Sequence, residues 1–391
     1  MRDRMTNLWY FKRPDIAAYY LDLLTKSHNN KIVIVGARRT GKTSLIVNEI
    51  IPLAEDNGMF TVYSDCWLDK ADPLGSLNHA LVRVISKIEH PNSKVIRRLN
   101  TEVKKIGAAG FSIEFGDEAK TALPSSPYFL FDTLLEALIG LTKRPILFVI
   151  DEFQTVGEHK EGDRIAGALR TAFTRHGSSM RIIFTGSSDV ALNRLFAHSK
   201  ASLYQFASRI PYKPLDTEFI KYIGERFKQA TKRQLNEKRA AEIFNLLGHQ
   251  PEAFLAVVQT PLAREDRTLD DGLEGLLSPD MDTPWTQYWN ESSELQRAVL
   301  LACREHLKLT SVEGVKRISA MLQRKKISPT SVQRAIETLQ IRGLIERTTL
   351  ITTQALFDLS DTVFELWLDR NGRKLLFNNE MINDLKLPLA D

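Results

Sequence analysis

The stretch Lys31 to Leu45, K-I-V-I-V-G-A-R-R-T-G-K-T-S-L, constrains the fold more than any other part of the chain. Ile32 to Val35 is a short apolar, β-branched run, the signature of a strand buried on both faces. Gly36 ends it. Residues Gly36 to Thr43 complete the pattern Gly-x4-Gly-Lys-Thr, and a helical run, Ser44 to Ile50, follows. Strand, glycine-bounded loop and helix together form an anion cradle. The glycines let the backbone wrap closely, so that successive N–H groups point at phosphate oxygens, and the helix N-terminus adds its positive end. Gly36, Ala37, Arg38, Arg39, Thr40, Gly41, Lys42, Thr43 and Ser44 are therefore the candidate phosphate-binding residues. Lys42 is expected to bridge the β- and γ-phosphates, and Thr43 to hold Mg²⁺ through its hydroxyl.

A second informative site lies downstream. Pro145 opens I-L-F-V-I-D-E-F, a buried strand with Asp151 and Glu152 at its C-terminal end. An Asp there can bind the water shell of Mg²⁺, and the adjacent Glu can orient or deprotonate an attacking water. Further strands are expected at Phe60 to Ser64, Arg181 to Thr185 and Ile210 to Leu215, which makes five. Asp65, at the end of one, serves either the nucleotide or the N-terminus of the helix after Pro73. Ser187 or Ser188, after another, faces the γ-phosphate or caps the helix Val190 to Phe196. Phe111, Ile113 and Phe115 alternate with polar residues between glycines, which predicts a small hairpin or edge insertion near 107–118.

A chain of 391 residues is too long for one ordinary core. The expected domains are an α/β core over 1–215, a helical lid and linker over 216–290, and a C-terminal domain over 291–391. In the last, helices over Leu295 to Glu305, Val312 to Leu322 and Pro329 to Ile341 precede a hairpin, Leu344 to Leu350 with Ala355 to Leu359. That is the plan of a winged helix. Residues 301–350 carry ten basic side chains against four acidic ones, more than the whole chain's net charge of +5. Arg334, Arg342, Lys325 and Lys326 are candidates for phosphate contacts with duplex DNA.

Two cysteines, Cys66 and Cys303, make no disulfide framework, and the N-terminus M-R-D-R-M-T-N has no apolar core. The apolar runs are too short to span a membrane, so a cytoplasmic protein is expected. No Cys/His spacing suggests zinc, and the lone His249 reads as structural. No Asn-Lys-x-Asp guanine-recognition motif occurs, which favours ATP over GTP.

The segments G-A-R-R-T-G-K-T-S-L, I-D-E-F, F-T-G-S-S and the Gly-x-x-Pro break at Gly248 to Pro251 resemble those of archaeal-type P-loop ATPases. That group borders the AAA+ and signal-transduction (STAND) ATPases. The resemblance covers about residues 8–370. It implies an ASCE/AAA+-like P-loop NTPase core with a parallel five-stranded sheet, followed by a helical lid and a winged helix. It also implies ATP and Mg²⁺ as cofactors, Asp151 and Glu152 as the Walker B pair, and Ser187 or Ser188 as sensor 1. Ser208-Arg209 looks like the box of AAA+ initiators and clamp loaders, in which the arginine reaches a neighbouring subunit's ATP in a homo-oligomer. A surface arginine before an edge strand is the alternative. The chain lacks a sensor-2 arginine near Gly248 to Pro251. That departure implies a slow nucleotide switch, either DNA-associated or a signalling or defence ATPase that senses a protein or small ligand.

Overall fold

The computed structural model describes residues 8–88, 111–114, 120–187, 189–323, 327–348 and 356–377. The contacts divide the chain into two units. Of the described residues, one holds those within Lys12–Ala37 and Lys42–Lys213; the other holds those up to Phe11, Arg38–Gly41, and those from Pro214 onward.

The first unit is built on β1 (Lys31–Val35), β2 (Phe60–Asp65), β5 (Ile146–Asp151), β6 (Met180–Gly186) and β7 (Ser208–Pro211). The intervening β3 (Phe111–Glu114) and β4 (Lys120–Leu123) pair antiparallel as the expected hairpin, while the rest of the 107–118 segment lies outside the described residues. The five strands form one sheet in the order β2-β5-β6-β1-β7, with every pairing parallel.

The two-residue side-chain period explains why this sheet is buried on both faces. On β5, Ile146, Phe148 and Ile150 enter one core, while Leu147 and Val149 enter the other. On β6, Met180, Ile182 and Phe184 share the first core, and Ile183 the second. The first core is closed by helices Pro73–Ile88, Pro127–Thr142 and Gly162–Arg175, with Phe131, Phe148 and Phe173 packed edge to face or stacked. The second is closed by helix Pro14–Lys26 and by the helix that follows the glycine loop. Asp151 continues the Leu147, Val149 series, so the strand's own period aims it toward the loop helix.

That loop helix is not uniform. Lys42–Leu45 is α-helical, Ile46–Ile50 is a π turn, and Ile51–Asp56 resumes the α form. Pro52 has no N–H to continue the ladder, and the Ile51 N–H bonds Ile46 O, five residues back. The fifth strand is also shifted. It spans Ser208–Pro211 rather than Ile210 to Leu215, so Arg209 lies within it, not before it. Its pairing matches Ser208 to Pro211 with Ile32 to Val35, and Tyr212 N gives β1 one last bond, to Val35 O at 2.7 Å. Pro214, which lacks a donor, follows.

The second unit is helical. Helices Thr217–Thr231, Glu237–Leu246 and Pro251–Ala263 are followed by Leu269–Leu276 and Pro284–Asn290, all within the stretch expected as helical lid and linker. These last two have clear start signals: a Thr268/Asp271 capping box, and Thr283 before a proline at the first helical position. Then come Glu294–Arg304, Val312–Met321, Pro329–Ile341 and an antiparallel pair, β8 (Ile345–Arg347) with β9 (Phe357–Leu359). This is the expected order of three helices and a hairpin; residues 349–355 lie outside the described set. One hydrophobic core runs from Leu215 to Phe377, across the expected division at 290. His249 packs inside this unit: its Nδ1 lies 3.1 Å from Leu215 O and its ring 5.1 Å from that of Phe244. No described helix is long and apolar enough to cross a membrane.

Candidate functional site

All five parallel strands end on the same side of the sheet. The glycine loop leaves the end of β1, and the acids stand at the end of β5, with β6 between them. Gly36 admits no side chain, because a Cβ there would lie 2.7 Å from Tyr212 Cβ. Gly41 has φ of +95°, a conformation that L side chains rarely adopt. The Lys42 ammonium folds back over the start of the loop and donates to Gly36 O at 2.8 Å and Ala37 O at 2.7 Å. Thr40 is buried, while Thr43 and Ser44 are exposed at the helix start. The crest, Arg38–Gly41, groups with the helical unit. Within it, Arg38 Nη1 donates to Gly343 O at 2.8 Å; Arg39 pairs with Asp361 at 2.8 Å and donates to Tyr288 OH at 2.9 Å.

Asp151 is the centre of the site. It is 1% exposed, and a buried carboxylate is costly unless it is hydrogen-bonded. Four donors meet it. Thr43 Oγ1 at 2.7 Å and Tyr63 OH at 2.9 Å reach Oδ2; Thr185 Oγ1 and the Glu152 N–H, the latter at 3.0 Å, reach Oδ1. Tyr63 comes from β2 and Thr185 from β6, so three strands and the loop helix converge on one carboxylate. Burial and the negative charge of Asp151 hold the Tyr63 phenol well above its ordinary range, as a proton donor. Glu152 follows at φ +53°, and its Oε2 accepts a hydrogen bond from Gln154.

Asp65 does not take the expected capping role. Its Oδ1 accepts from Trp67 N at 2.8 Å, while Asp72 bonds the first turn of helix Pro73–Ile88 through Gly75 N at 2.8 Å. It stands in register with Asp151. Burial raises its pKa, with Asp151's charge adding to the rise and the Trp67 N–H opposing it. Ser187 lies 3.3 Å from Gln154 Nε2; Ser188 is outside the described residues. Arg209 is exposed on the edge strand, opposite Val33, and bonds Asn193 Oδ1, so it is not gathered with Lys42 and Asp151.

Among the described residues no group of three or more His, Cys, Asp or Glu side chains is placed to hold a metal ion. One hydroxyl and one carboxylate, Thr43 and Asp151, nevertheless suit Mg²⁺. That ion retains waters and takes few protein oxygens alongside substrate phosphates. Tyr63, Thr185 and Gln154 were not legible as site residues. Thr185 left a faint signal, the lone hydroxyl in an apolar strand.

No protein-family model and no curated protein sequence matches the chain. Solved structures do. The Walker-type ATPase PABY2304 of Pyrococcus abyssi matches 92% of this chain and 99% of its own, at 17% identity and TM-score 0.53. The ORC2 protein of Aeropyrum pernix in its ADP form matches 93% of each chain at 14% identity and TM-score 0.49. The ORC1 protein of the same organism, in complex with DNA, matches 97% of each at 12% identity and TM-score 0.47. At 17% identity the first likeness is one of fold: this chain has the fold of a Walker-type P-loop ATPase.

The raised Asp65 pKa sets a pH test. A group whose folded pKa lies above its unfolded value stabilises fully only below the unfolded pKa, here 3.8, and that contribution is lost as pH rises through the folded pKa. Ionised Asp65 therefore costs stability at neutral pH. Asp65→Asn, whose Oδ1 still accepts from Trp67 N, raises the urea midpoint at pH 7, and the gain disappears below about pH 4. An equal midpoint shift at both pH values would contradict this reading.

Proposed function

We propose that this chain binds Mg·ATP at the glycine loop and hydrolyses it slowly, as a molecular switch. The supporting observation is the 2.7 Å bond from Thr43 Oγ1 to Asp151 Oδ2, which joins two motifs 108 residues apart in one site. Lys42 leaves the Gly36 and Ala37 carbonyls to meet the β- and γ-phosphates. Thr43 and Asp151 hold the metal, which when bound neutralises charge on the phosphate oxygens. Glu152 takes a proton from the attacking water, and Ser187 senses the γ-phosphate. The wrapped N–H groups of Gly36 to Ser44 fix the nucleotide in line. In an oligomer, the exposed Arg209 is the residue assigned to a neighbour's triphosphate.

The finer proposal is that the switch acts on duplex DNA through the winged-helix segment. Lys308, Lys316, Arg334 and Arg347 are exposed there, while Arg324, Lys325 and Lys326 lie outside the described residues. A second reading, a protein-sensing ATPase, draws on different residues. Arg304, Arg317 and Arg342 of the same segment are paired with Asp369, Glu305 and Glu291, and Val312 and Ile341 are exposed at 74% and 78%. Arg342, expected to contact phosphate, also donates to Ser292 Oγ at 2.9 Å.

Three measurements test these readings. Lys42→Ala weakens Mg·ATP binding by a factor of about ten or more, whereas Glu152→Gln keeps binding and slows hydrolysis by about 10²–10⁴. Near-parental affinity in the first, or parental turnover in the second, would overturn the assignment. Duplex DNA affinity, titrated against salt, falls with a log–log slope of about −3 or steeper if three or more cations meet phosphates. A flat titration, or no binding at low salt, favours the protein-sensing reading.

A further inference from the structure

Gln154 opens the short helix Gln154–Glu158, one residue after the acids, and is 1% exposed. Its Nε2 makes two hydrogen bonds, to Glu152 Oε2 and to Ser187 Oγ at 3.3 Å. One buried carboxamide thus links the group assigned to activate water with the group assigned to the γ-phosphate. Oε1 is buried and has no hydrogen-bond partner among the described residues. The fold keeps room for that end, since a Cβ on Gly186 would lie 2.5 Å from Oε1. Glu152 is held in a left-handed backbone conformation, at φ +53°, by its N–H on Asp151 Oδ1 and by the next N–H, Phe153, on Thr185 O at 2.8 Å. With its backbone so fixed, the carboxylate's direction is set by what holds its oxygens.

We infer that Gln154 is a positioning residue for hydrolysis, coupling Ser187 to Glu152 through its Nε2. One Nε2 hydrogen holds Oε2 of Glu152 and so sets the direction of the carboxylate assigned to take the water's proton. The second hydrogen ties that setting to Ser187, so a γ-phosphate that engages Ser187 also adjusts Glu152. This role rests on the assignment of Glu152 and Ser187 made above. Gln154 touches neither nucleotide nor metal in this scheme, so its loss changes turnover and not affinity.

The test is a kinetic cycle on the full chain, with parental protein, Gln154→Met, Ser187→Ala and the double variant. ATP dissociation constants are measured by titration and kcat by phosphate release. Methionine keeps the volume and removes both hydrogen bonds. The expected result for Gln154→Met is a fall in kcat of about tenfold or more, with the ATP dissociation constant within about threefold of parental. In the Ser187→Ala background the same change costs less than about threefold further, because the coupled path is already broken. A kcat within about twofold of parental, or losses that multiply independently, overturns the inference. Should Gln154→Met not fold, Gln154→Glu replaces it, with the same shape but no N–H donors, and the same split is expected. Absence of hydrolysis by the parental protein would overturn the proposed function and this inference with it. Parental hydrolysis with an unaffected Gln154 variant overturns the inference alone.

Discussion

A single buried carboxylate sets the terms for the α/β unit. Asp151 has lost nearly all contact with water, and an ionised group in that position must be paid for by donors aimed at both oxygens. The four it receives come from the loop helix, β2, β6 and its own following peptide. Each donor requires its element in a particular place. The Thr43 hydroxyl requires the helix to start directly above the sheet, Tyr63 requires β2 beside β5, and Thr185 requires β6 on the other side. The sheet order and the site geometry are one constraint seen at two scales.

The parallel sheet meets that constraint through its side-chain period. Alternate residues of β5 fill opposite cores, so the register that buries Leu147 and Val149 beneath the loop helix also brings Asp151 to Thr43. A one-residue slip of β5 would send Asp151 to the opposite face and its neighbours with it. Polar chemistry is then confined to the strand ends, where β1 opens into a loop that cannot carry a side chain at Gly36.

How much of this was legible follows from the range of each interaction. The loop from Gly36 to Ser44 and the pair Asp151 and Glu152 are contiguous patterns, and the sequence carries them whole. The five strands were legible as apolar runs, but the fifth was misplaced because its register is set by pairing with Ile32 to Val35 and not by its own hydrophobicity. Tyr63, Thr185 and Gln154 act across strands, and no local pattern marks a residue whose role is to touch another 33 to 88 positions away. Helices Leu269–Leu276 and Pro284–Asn290 were not placed one by one, for another reason. They are short, and their cap residues, Thr268 and Thr283, sit in a stretch of mixed composition. Arg342 read as a free cation, yet Glu291, distant in sequence, occupies it.

A shared site for phosphate and metal between the glycine loop and Asp151 carries the proposed function. A crystal structure grown with Mg²⁺ and a non-hydrolysable ATP analogue tests this most directly. The expected density shows Lys42 moved from the Gly36 and Ala37 carbonyls onto the β- and γ-phosphates, with the metal beside Thr43 Oγ1 and Asp151. Nucleotide bound elsewhere, or Lys42 still folded on those carbonyls beside it, would contradict the account.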